Sequence, residues 1–234
     1  MSSAGSNPSG EKVSTGRLVP GGWVLVGVLV LVGLAALVVD HLVSDWCENC
    51  ELPGDLQKPI DWAEVFGHGA GVAILLLVVW VLDPVRRWAI ARLAVTAYGA
   101  GLTADVVKLI VARARPRAFD FDQGVLESFG RLFPLGAGGS DWQSLPSAHV
   151  AVAVGLALGL AWLYPRGRWL FLVIAALVAA QRVTHCSHFC SDAFFGAAVG
   201  CAVAILCLDV GPVARWFDRK EAQWREAGRR NKGG

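Results

Sequence analysis

Charge is what this sequence has least of. Lys, Arg, Asp and Glu together make up 17% of the 234 residues, while apolar types make up 55%. Soluble domains carry about 25% charged residues, so there is too little charge here to cover a water-exposed surface. The formal net charge is only +2, which provides no basic footprint for nucleic acid. No internal repeat and no second domain can be traced. What the chain does have is apolar runs of bilayer length.

A helix crossing hydrocarbon needs roughly 20 mainly apolar residues. Leu18 to Val39 supplies 22 without a charge, Val65 to Leu82 supplies 18, and Trp142 to Pro165 supplies 24. In the last of these, Pro146 places the helix start late. Trp88 to Val111, Trp169 to about Cys186, and Asp192 to Val210 are apolar but carry ionisable groups; such groups face polar cavities when they lie inside a bundle. The expectation is an all-α integral membrane bundle of six transmembrane helices over residues 18–210. Residues 1–17, rich in Ser and Gly, read as a disordered cytoplasmic N-terminus. The first span reads as a permanent anchor, its apolar core being longer than the ~7–15 residues of a signal peptide. Residues 211–234 form a basic cytoplasmic tail, with Arg215 to Lys232 patterned as an amphipathic helix carrying Trp216 and Trp224 or as a plain solvated segment.

Short loops rich in Lys and Arg stay in the cytoplasm. With six spans, the N-terminus, the Asp83–Trp88 turn, the Tyr164–Arg168 turn and the tail share one side and hold 13 of the 21 Lys and Arg residues. The opposite side holds five: Lys58, Arg113, Arg115, Arg117 and Arg131. Both termini are therefore expected in the cytoplasm. Cys47, Cys50, Cys186 and Cys190 fall outside, where disulfides or thiols are expected; a zinc site built from both pairs would require distant loops to converge. Cys201 and Cys207 read as small packing residues of the last span.

The chemistry collects on the outer side, where all five histidines fall at or near span ends. His41 and His68 have no evident catalytic partner and read as interfacial packing. Three clusters stand apart. Lys108 and Arg115 end the third span, and Pro116 disfavours helical geometry at Arg115. Snorkelling to the headgroups accounts well for Arg113 and Arg117 but poorly for Lys108, which lies deeper. The second cluster, Pro146-Ser147-Ala148-His149, precedes a charge-free helix, with Ser147 as capping candidate and a helix N-terminus suited to a phosphoryl oxygen. The third contains Arg182, His185, His188 and Asp192. His188 and Asp192 stand four apart, neighbours on one helical face, so the carboxylate can take a proton from one imidazole nitrogen and leave the other free to attack. His185 has Phe189 at that spacing instead. Bringing Arg182 and His188 together requires a turn near Ser187.

Together these clusters resemble the type 2 phosphatidic acid phosphatase superfamily. Its signature is Lys, six residues, Arg-Pro; then Pro-Ser-Gly-His; then Ser-Arg, five residues, His, three residues, Asp. Lys108, Arg115 and Pro116, then Pro146, Ser147 and His149, then Arg182, His188 and Asp192 stand at these spacings. Ala148 departs from the family glycine and Gln181 from its serine. The resemblance implies a membrane enzyme of the lipid phosphate branch. In it Lys108, Arg115, Arg182, Ser147 and the Ala148 N–H hold the phosphoryl group. His188 attacks phosphorus with Asp192 fixing its tautomer, and His149 serves as proton donor. No cofactor and no metal are implied; the partners are a lipid phosphate and membrane lipids. An alternative is transfer of the phosphoryl group to an alcohol, and a rival of another class is a non-catalytic lipid-binding or transport protein. The outer loop, Arg117 to Leu145, is expected to shape selectivity.

Overall fold

The computed structural model describes residues 21–49, 52–121, 123–135 and 138–230. The expectations for residues 1–17 and for Cys50 lie outside them. The chain is helical with one small hairpin: α1 (Gly22–Ala36), α2 (Asp40–Asn49), α3 (Gly54–Gly67), α4 (Gly69–Leu82), α5 (Ile90–Lys108), β1 (Val111–Arg113), β2 (Phe129–Leu132), α6 (Ala148–Leu163), α7 (Arg168–Thr184), α8 (Cys190–Leu208) and α9 (Pro212–Arg230).

The expected all-α membrane bundle is present, with some of its apolar segments bent or short. Among the described residues, three helical segments are long and apolar enough to cross a bilayer: 87–108, 165–184 and 190–208. Two further candidates are bent pairs, α1 with α2 at 71° and α3 with α4 at 77°. The 16-residue α6 is apolar but short, about 24 Å at 1.5 Å per residue. The second expected span thus breaks at His68, whose Nδ1 accepts the Ala70 N–H and caps α4. Apolar side chains such as Leu31, Leu77, Val81, Leu102 and Val106 point outward from the bundle, as lipid-facing side chains do.

Core contacts run along α6 and α8. A Cβ on Gly196 would come within 2.5 Å of the Ser147 carbonyl, and one on Gly200 within 2.7 Å of the Ala151 carbonyl. Small residues four apart thus let the two backbones approach, the usual packing device in lipid. Alternating helix direction then carries the C-terminal ends of α5 and α7 and the N-terminal ends of α6 and α8 to one end of the bundle.

At the other end the tail is a docked helix. Arg92 of α5 is buried and donates to the Cys207 and Ala214 carbonyls, to Asp218 and to Glu221. Ala214 and Phe217 are buried on the same side of α9, while Trp216 and Trp224 are half exposed. The amphipathic reading of the tail therefore holds over the described residues.

Candidate active site

The bundle end that gathers the helix termini also gathers the three motifs. Lys108 is the last residue of α5. It is buried and paired with Asp105 at 2.9 Å. After Lys108 the chain leaves helical geometry for β1. Arg115 is extended, as the following proline requires, with φ −79° and ψ 151°. Its Nε donates to the Ser140 carbonyl. Burial, then the Arg117 and Arg182 charges, lowers the Arg115 pKa.

Ala148 opens α6 as its first residue. Among the described residues only Phe133, Leu135 and Cys186 are non-glycine positions with positive φ. Position 148 therefore needs no glycine, and its N–H lies in the helix's first turn, where no intrahelical acceptor exists. Ser147 occupies the capping position, but its hydroxyl caps nothing. Instead Ser147 Oγ and Arg182 Nε are buried without a hydrogen-bond partner. Buried polar atoms are rarely left so.

His188 lies in the turn between α7 and α8, which reverses at Cys186 with φ +48°. The His188 N–H bonds back to the Arg182 carbonyl at 3.1 Å. The turn near Ser187 is present, but the expected pairing with Asp192 on one helical face is not. His188 precedes α8, and its Nδ1 lies 3.9 Å from Asp192 Oδ2 but 2.7 Å from the Ser144 carbonyl. A carbonyl only accepts, so Nδ1 carries the proton and Nε2 is the basic nitrogen. Asp192 acts one step back: its carboxylate accepts the Ser144 hydroxyl at 2.5 Å and the Phe189 N–H at 2.9 Å. The comparison that favoured His188 over His185 also changes, since His185 has a carboxylate partner of its own, Asp61 at 2.7 Å. What sets His188 apart is its surroundings. Burial, then the Arg115, Arg182 and Lys108 charges, depresses its pKa well below 6.5, so the ring is neutral at physiological pH.

Four residues of this region were not singled out by sequence reasoning. Arg113, expected to snorkel, is fully buried. It donates to Asp192 at 2.5 Å, Asp40 at 2.7 Å, Ser191 at 2.7 Å and Ser128 at 3.2 Å. Asp40, just past the first expected span, is the other carboxylate of this buried cluster. Ser144 belongs to a loop with no recognisable motif. Glu64 of α3 pairs with Arg182 at 2.9 Å and stands 4.0 Å from His149 Nε2. No local pattern marks these residues; only their long-range partners do.

His68 and His149 have ring centroids 6.0 Å apart. They share a cavity of about 370 Å³ with Gly67, Tyr98, Leu102 and Asp105. His41 packs on Phe119 and Phe121, as expected of a packing residue. Cys186 and Cys190 are free thiols.

This arrangement can hold a tetrahedral anion among three cations beside a neutral imidazole. The chain is 32% identical to the lipid A 1-phosphatase of Rhizobium johnstonii over 119 residues, 51% of this chain and 46% of the relative. It is also 32% identical to that of Rhizobium etli over 113 residues, 48% and 46% of the two chains. It thus spans about half the length of the curated relatives it matches. In fold it is similar to Aquifex aeolicus LpxE, with TM-score 0.56, 22% identity, and 74% of this chain and 94% of that one covered. The transmembrane PAP2-type phosphatidylglycerolphosphate phosphatase of Bacillus subtilis gives TM-score 0.56, 19% identity, and 86% and 98% coverage. With its apolar helices, this fold makes the protein an integral membrane protein. The model of the PAP2 superfamily matches residues 89–216, more than half of the chain and all three clusters, and the protein belongs to that family.

Proposed function

We propose that the protein is a membrane phosphatase that releases phosphate from a lipid phosphate ester or diphosphate through a phosphohistidine on His188. The observation that carries this reading is the buried neutral His188. Its Nδ1 is committed to the Ser144 carbonyl, which leaves Nε2 as the basic nitrogen, and the Arg115, Arg182 and Lys108 charges act on the ring. These cations, with Ser147 Oγ, the Arg182 Nε and the first N–H groups of α6, would hold the phosphoryl oxygens where bulk water is excluded and electrostatic stabilisation is strongest.

In the first step His188 Nε2 attacks phosphorus, the bond to the leaving oxygen breaks, and that oxygen takes its electron pair and a proton from His149. In the second, His149 accepts a proton from water, the hydroxide attacks phosphorus, and the P–N pair returns to His188. Both Rhizobium relatives are named for a lipid phosphate, as is the Bacillus neighbour, which favours a phosphate attached to a lipid alcohol. The bent pairs α1–α2 and α3–α4, with α5, α6, α7 and α8, would make six crossing segments. The excess of Lys and Arg at the other end favours a site on the outer face with both termini in the cytoplasm.

The test is phosphate release by the purified full chain from lipid A 1-phosphate, phosphatidylglycerophosphate, phosphatidic acid and polyprenyl diphosphate. Rapid quench with labelled substrate should leave acid-labile phosphate on His188, and His188→Ala should be inactive. Label trapped on His149 or His185, or no release from any of the four, would overturn the proposal.

A further inference from the structure

We infer that Glu64 is a further residue of this site, a positioning carboxylate that orients Arg182 and the proton donor His149 for departure of the leaving group. The inference rests on the phosphatase reading above. Glu64 stands on α3, outside residues 89–216 that match the family model, so no motif assigns it a role.

Three observations place it. Its Oε1 accepts from Arg182 Nη1 at 2.9 Å and lies 4.0 Å from His149 Nε2, so one carboxylate oxygen serves two site residues on two helices. Its Oε2 accepts from Gln181 Nε2 at 3.3 Å, and Gln181 Oε1 in turn accepts from Arg182 Nη1. Gln181 is buried and stands where the family has serine. A serine hydroxyl is too short to bridge from α7 to α3, so the departure and the carboxylate form one device. The third observation is the fit of α3 itself. A Cβ on Gly67 would come within 2.7 Å of the His149 carbonyl and 2.8 Å of Val178. The glycine thus lets the end of α3 press against α6 and α7, and Glu64 sits one turn before it.

A carboxylate in this place has a definite consequence. It keeps Arg182 from swinging freely, and its negative charge beside His149 offsets part of what burial and the Arg182 charge cost the imidazolium, the form that can protonate an alkoxide. An ordinary interhelical ion pair would steady the bundle without regard to the leaving group. Leaving-group dependence therefore separates the two. An alkyl oxygen needs a proton to depart, whereas an aryl oxygen such as nitrophenolate departs with little help.

The experiment measures the full chain in detergent with p-nitrophenyl phosphate and with a short-chain alkyl phosphate, alongside thermal unfolding. Glu64→Gln should lower kcat for the alkyl ester by roughly 10–100-fold, part of the usual contribution of general acid catalysis, and for the aryl ester by under about threefold. Glu64→Asp should recover part of the loss. Gln181→Ser should show the same bias more weakly, which keeps the test open should Glu64→Gln fold poorly. Equal losses on both esters would overturn the inference and leave a structural ion pair. So would a gain in kcat/KM with tighter inhibition by inorganic phosphate, which would make Glu64 a competitor for the phosphate seat. An inactive wild-type chain would sink the phosphatase reading itself, and the inference with it.

Discussion

Replacing Arg113 by methionine should cost more stability than any other single change at this end of the bundle. Its guanidinium and both partner carboxylates, Asp40 and Asp192, are shielded from solvent at 0% side-chain exposure. The planar fork also lies 4.1 Å from the Phe189 ring centroid and 4.7 Å from that of Phe129. Methionine fills similar volume but leaves two buried carboxylates without their cation. Breaking one buried pair costs about 3–5 kcal/mol, a factor of roughly 10² to 10³ or more in the folded ratio. For a chain of this size that is a fall in melting temperature on the order of 10 °C. Lysine should recover less than half of it, since one ammonium cannot reach four oxygens presented to three nitrogens. Activity should fall as well, because Arg113 holds Asp192, Asp192 holds Ser144, and Ser144 fixes the His188 tautomer. Thermal unfolding in detergent of Arg113→Met and Arg113→Lys checks this, with phosphate release measured below the melting range. An Arg113→Met protein melting within about 2 °C of wild type would refute the argument, because the carboxylates would then not depend on the guanidinium.

The remaining predictions concern the nucleophile, the helix start and the orientation. His188 must be neutral to attack, and its pKa lies well below 6.5, so kcat/KM should persist as pH falls through the ordinary imidazole range and fail only at more acid pH. An acid limb at or above pH 6.5 in the wild type that is set by His188 would contradict the burial of its ring. Ala148→Gly should give no gain in turnover, since residue 148 already opens α6 with ordinary helical geometry. A clear rise, up to roughly tenfold for about 1.4 kcal/mol of relieved strain, would mean that the helix start has been misread. Over the background of the native thiols, Asp55→Cys and Gln123→Cys should react with an impermeant maleimide from outside, and Arg166→Cys only after the membrane is opened. Reaction of position 123 from the cytoplasmic side would reverse the orientation and the outward-facing site with it.

Local signals made much of this protein legible before its structure. Scarcity of charge and runs of bilayer length identify a membrane bundle, because hydrocarbon leaves a chain no other way to satisfy its backbone. Pro116 sets Arg115 extended, and Pro146-Ser147 marks the start of α6, because both act on the backbone within a residue or two. The spacing of Lys108, Arg115, His149, Arg182, His188 and Asp192 marks the same cluster that the folded chain draws together.

The partners of those residues were decided only by tertiary structure. Periodicity places His188 and Asp192 on one helix face, yet the turn at Cys186 moves His188 off the helix, and its Nδ1–H donates to the Ser144 carbonyl instead. A charge beside a span end reads as snorkelling, yet Arg113 turns inward, because the 71° bend between α1 and α2 brings Asp40 to meet it. The break at His68 likewise sets α3 across the site and supplies Glu64. Ion pairs spanning 73, 79 and 118 residues have no signature in a local window, because the low dielectric that makes them strong exists only once the helices have closed around them.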